Sequence, residues 1–99
     1  MKREKAEQAI KALEDFFEKK YGERLEFPLF DHDHLELNPG SWSTYNEGWY
    51  DGDRDMYWTG VVINAVSEGK LKLPEGVGVE VYGVADGSAW LTLLYFYEV

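Results

Sequence analysis

Trp90-Leu91-Thr92-Leu93-Leu94-Tyr95-Phe96-Tyr97-Glu98 decides the fold of this chain. A strand's period of two sends Trp90, Thr92, Leu94, Phe96 and Glu98 to one face and Leu91, Leu93, Tyr95 and Tyr97 to the other. The first face suits packing on a helix; the second is amphipathic through its tyrosines. Just upstream, Asp86-Gly87-Ser88 reads as a turn and Val77–Val84 as a partner strand. The chain therefore ends in an antiparallel hairpin.

That hairpin needs a cover, and residues 3–20 supply one. Ala6, Ile10, Leu13, Phe16 and Phe17 recur at spacings of three and four, the stripe of an amphipathic helix. Lys19 and Lys20 suit the helix C-terminus and Gly22 stops it. Between helix and hairpin, short β-rich runs alternate with turn residues. Arg24–Phe30 reads as a strand through Leu25, Phe27 and Leu29, and Pro28 places it at an edge where a second copy could pair. His34–Leu37 extends or pairs with it, and Asn38-Pro39-Gly40-Ser41 is a turn.

Asp51-Gly52-Asp53-Arg54 reads as the tip of a hairpin between Ser43–Tyr50 and Asp55–Val66, with further breaks at Ser67-Glu68-Gly69-Lys70 and Pro74-Glu75-Gly76. Met56–Val66 is ambiguous. Trp58, Val61, Val62 and Ala65 would form a helical stripe capped by Gly69, but Thr59, Gly60, Val61, Val62, Ile63 and Asn64 are weak helix formers, so we read a strand. The expected architecture is a single α+β domain over residues 1–99, with one N-terminal helix packed on a curved antiparallel sheet of four to six strands.

Charge is distributed as unevenly as structure. Residues 1–24 hold seven basic and six acidic side chains, whereas 25–99 hold three basic and thirteen acidic, splitting the net charge of −9 into +1 and −10. Such a surface repels phosphates, so direct nucleic-acid binding is not expected. No cysteine is present, and no apolar run approaches the ~20 residues of a membrane span. We expect a soluble, cytoplasmic protein without a cofactor.

The motifs that carry chemistry are incomplete. Alternation puts His32 and His34 on one face with Glu36, a weak candidate metal set, but the chain has only these two histidines. Asp51, Asp53 and Asp55 occupy the first, third and fifth places of a calcium loop, yet Met56 and Val62 stand where glycine and glutamate are required. No nucleophile motif or phosphate loop occurs, so the sequence supports binding better than catalysis.

Acids and aromatics do coincide between positions 42 and 58. We expect Glu47, Asp51, Asp53 and Asp55 to stand in for phosphates, with Tyr45, Trp49, Tyr50 and Trp42 as anchors, in a small acidic module that inhibits a basic partner such as a nuclease or toxin. The alternative is a carbohydrate or small-ligand module with Trp42, Trp49 and Tyr50 as platforms and Asn46 and carboxylates receiving hydroxyls. A designed scaffold without natural function is a third reading, suggested by the Lys/Glu/Ala-rich first helix and tidy turns. The long irregular stretch 31–58 argues against that one.

Overall fold

The computed structural model describes residues 1–31, 40–86 and 89–99. Helix α1 spans Arg3–Tyr21 and buries Ala6, Ile10, Leu13 and Phe17 of the expected stripe together with Ala9, while Phe16 is only partly buried. Gly22 closes it by donating its N–H to the Glu18 carbonyl. The four-stranded antiparallel sheet runs in the order β1 (Phe30–Asp31), β2 (Trp42–Thr44), β6 (Ala89–Glu98), β5 (Val77–Asp86). A second sheet pairs β3 (Tyr50–Asp51) with β4 (Met56–Tyr57). The α+β arrangement and the terminal hairpin follow the sequence reading, with Val77 opposite Glu98 and Asp86 opposite Ala89.

Alternation on β6 does what its pattern demands. Leu94 and Phe96 are fully buried, packed in one core with Leu13 and Phe17 of α1. On the opposite face Tyr95 and Tyr97 stack at 5.5 Å. Tyr97 lies over Gly78, where a Cβ would come within 2.4 Å of its ring, so this strand position admits no side chain without displacing the tyrosine.

Met56–Val66 is not a strand. Only Met56–Tyr57 is extended, and Trp58–Ser67 forms a second helix, α2. Trp58, Val61, Val62 and Ala65 are each 4% exposed or less, so the apolar stripe faces the core and its burial outweighs the poor helix propensity of the β-branched residues. The helix ends in a Schellman turn: Lys70 N–H reaches Ala65 O and Gly69 N–H reaches Val66 O. Gly69 sits at φ +74°, which glycine adopts at little cost.

Two further expectations are corrected. Arg24–Phe30 makes no strand before Phe30. Phe27 is buried between Phe17 and Trp58, at ring distances of 5.4 and 5.3 Å, so the alternation gives burial without a ladder; Pro28 has no N–H to donate to one. The edge expected over Arg24–Phe30 is reduced to Phe30–Asp31, the outer strand of the main sheet. Ser43–Tyr50 likewise divides: Trp42–Thr44 joins the main sheet against Phe96, Tyr95 and Leu94, and only Tyr50–Asp51 pairs with β4. The turn expected at Asp51–Arg54 is present but shifted by one residue, running over 52–55 between β3 and β4.

Candidate functional site

The segment 45–57 is held to the body of the domain by two inward side chains. Trp49 packs edge-on against Phe17 at 5.0 Å and Tyr21 at 4.7 Å, and its carbonyl accepts the Trp58 N–H that starts α2. Asp51 is only 8% exposed. Its Oδ2 accepts the Tyr21 hydroxyl at 2.7 Å, its Oδ1 accepts the Asp53 and Arg54 N–H groups at 3.1 Å, and Arg54 Nε lies 3.8 Å away. Asp51 thus shapes the hairpin turn and ties it to the end of α1.

These contacts move both acidities. The Tyr21 hydroxyl bond, followed by the two backbone donors, holds Asp51 below the usual carboxylate range against the opposing effect of burial. Burial first, and the bond to Asp51 second, push Tyr21 up to about 12. A carboxylate whose folded pKa is depressed stabilises above its unfolded pKa, and that stabilisation is lost as pH falls through the folded value. Asp51→Asn should therefore be less stable than the parent at pH ~7, and the gap should close as pH drops below ~4. Urea unfolding followed by tryptophan fluorescence at several pH values measures it; a gap that persists unchanged in acid would contradict the assignment.

With Asp51 and Trp49 turned inward, other residues form the surface. Tyr50 and Tyr57, opposite one another across β3 and β4, are 42% and 66% exposed, and their rings meet edge-on at 4.9 Å. Tyr50 donates its hydroxyl to Asp55, and Asp53 and Asp55 are exposed on the same turn. Tyr57 also lines a depression of ≈ 460 Å³ with Tyr45, Asn46, Glu47 and Thr59. Tyr45, Asn46 and Glu47 continue into an open groove of ≈ 670 Å³, bounded by Glu14, Glu26, Phe27 and Pro28. Glu14 lies 3.7 Å from Arg24, whereas among the described residues Glu26, Glu47, Asp53 and Asp55 have no cation within ion-pair distance.

The expected site residues are thus partly reassigned. Glu47, Asp53, Asp55, Tyr45 and Tyr50 lie along this surface. Trp42 does not; it is buried under α1, donating Nε1–H to the Met1 carbonyl at 3.0 Å with Arg3 5.7 Å from its ring. His32, His34 and Glu36 lie outside the described residues, and among the described ones no group of three metal-ligating side chains converges. Sequence reading missed Tyr57 and Glu26. The turn at Asp51–Asp55 was the available signal for Tyr57, since closing it places Tyr57 against Tyr50. Comparison with protein families, with curated proteins and with solved structures finds no match to this chain.

Proposed function

We propose that the chain is an acidic protein-binding module that inhibits a basic partner, a nuclease or toxin, by occupying the groove that normally holds nucleic acid. One observation carries the reading: among the described residues Glu26, Glu47, Asp53 and Asp55 have no cation within ion-pair distance, and they share a surface with Phe27, Tyr45 and the exposed Tyr50 and Tyr57. Unpaired carboxylates steer a cationic surface inward, and partly exposed tyrosines supply contact area that slows its departure. Asp53, Asp55 and Glu47 take the places of phosphates. Asp51 and Trp49 act indirectly, by fixing the hairpin that presents them.

The test is enzymatic. A panel of purified basic nucleases is assayed with and without the protein in excess. The reading predicts that at least one loses activity in competition with its nucleic-acid substrate. Inhibition that substrate cannot relieve would argue against groove occupancy. The ≈ 460 Å³ depression supports a second reading, a neutral hydroxylated ligand held between Tyr45 and Tyr57 with Asn46 and Glu47 as hydrogen-bonding groups. A glycan screen read by tryptophan fluorescence distinguishes it, because such binding would be nearly insensitive to salt.

A further inference from the structure

β5 lies at the edge of the main sheet, paired on one side only with β6. Ladder bonds in an antiparallel pair alternate along each strand. The Val99 N–H to Gly76 O bond sets the phase, so Gly78, Glu80 and Tyr82 bond to β6 while Val79, Val81 and Gly83 turn their N–H and C=O groups outward. Among the described residues nothing pairs with those outward groups. Apart from the single charge of Glu80, the edge carries few of the devices that usually protect one. From Val77 to Gly83 it has no proline and no lysine, and its partners run in unbroken register with β6. Val81 is 47% exposed there, and Glu80 and Gly83 are exposed beside it.

We propose that this edge pairs with the same edge of a second copy, antiparallel and centred on Val81, joining two four-stranded sheets into one. The residues favour that register over the neighbouring one centred on Glu80. Centring on Val81 brings the exposed Val81 side chains together and sets Val79 opposite Gly83 and Glu80 opposite Tyr82, so that no like charges face each other. Sliding until Glu80 faces Glu80 would keep the outward groups in phase, with Val79 opposite Val81, but would place two carboxylates in direct opposition. Two-fold symmetry satisfies both strands with one set of contacts.

Sedimentation velocity over a concentration series tests this on the full chain, at about 0.05 and 0.5 M salt, where screening differs strongly. The wild type should shift to dimer as concentration rises, and more readily at high salt because each copy carries net charge −9. That response is opposite in sign to the one expected for a basic partner, so this inference and the proposed function fail separately. Val81→Pro removes an outward donor without touching the β5–β6 ladder, and should weaken association by about tenfold or more. Val81→Lys is the second variant, with circular dichroism as the check that each still folds. In this cysteine-free chain, Val81→Cys should also cross-link on oxidation, since directly bonded neighbours sit ~5.5 Å apart at Cα. A wild type that stays monomeric at every concentration, or a dimer that both variants leave intact, would overturn the proposal.

Discussion

Phe17→Ala is expected to cost about 3–5 kcal/mol, the range for emptying a buried phenylalanine site. Phe17 is fully buried at the meeting point of α1, the 24–29 segment and the 45–57 segment. Its ring contacts Phe16, Tyr21, Phe27 and Trp49 at 5.5, 5.6, 5.4 and 5.0 Å. Those neighbours come from different parts of the chain and are themselves interlocked, so they cannot all collapse into the void. A domain of this size has a total stability of roughly 5–15 kcal/mol, and each kcal/mol lost lowers Tm by about 4–8 °C. The variant should therefore melt at least ~12 °C below the parent. Phe16→Ala, at a partly buried position on the same helix, should cost much less. Thermal unfolding of both variants checks the contrast; equal losses would mean that the aromatic cluster is not the centre of the core. Trp49 is an internal reporter, because its ring loses a neighbour in the first variant.

The second large effect concerns binding to the nuclease that inhibition identifies. Replacing Glu47, Asp53 and Asp55 together by their amides removes charge without changing shape. Affinity at low salt should fall by roughly 10- to 100-fold, mainly through slower association, because solvent-exposed charges act chiefly on encounter. Tyr50→Ala and Tyr57→Ala should act on the other rate. Each removes an exposed aromatic contact of the kind that dominates interface energetics, and dissociation should quicken by about 30-fold for a contact worth ~2 kcal/mol. Surface plasmon resonance separates the two rates. Unchanged kinetics in the amide variant would remove the phosphate-replacing role from those carboxylates. The two tyrosines also differ within the chain. Tyr50 bonds Asp55, so its loss frees that carboxylate, whereas no hydrogen bond engages the Tyr57 hydroxyl among the described residues.

The sequence was most legible where one physical demand acted alone. Trp90–Glu98 alternates because one face of a sheet must be buried, and α1 carries a stripe because one face of a helix must be. Met56–Val66 misleads because local preference and burial disagree. Val61, Val62 and Ile63 prefer strands as isolated residues, but only helical spacing delivers Trp58, Val61, Val62 and Ala65 together to the core. Arg24–Phe30 misleads for a related reason: burying Phe27, with Leu25 and Leu29 partly buried beside it, needs the alternating pattern but no hydrogen-bonded neighbour. The candidate site was half legible. Composition marks 45–55 as acidic and aromatic, yet which way each side chain faces depends on long-range partners. Tyr21 draws Asp51 inward from a distance of 30 positions, and Met1 does the same to Trp42 from 41 positions. No local pattern encodes either contact.

The most direct test of the central claim is the salt dependence of inhibition across the nuclease panel, at about 0.1 and 0.5 M salt. The acidic-surface account predicts at least one enzyme inhibited strongly at the lower concentration and much more weakly at the higher, because carboxylates in an open groove are screened. Inhibition equally strong at both concentrations, or none at either, would contradict it.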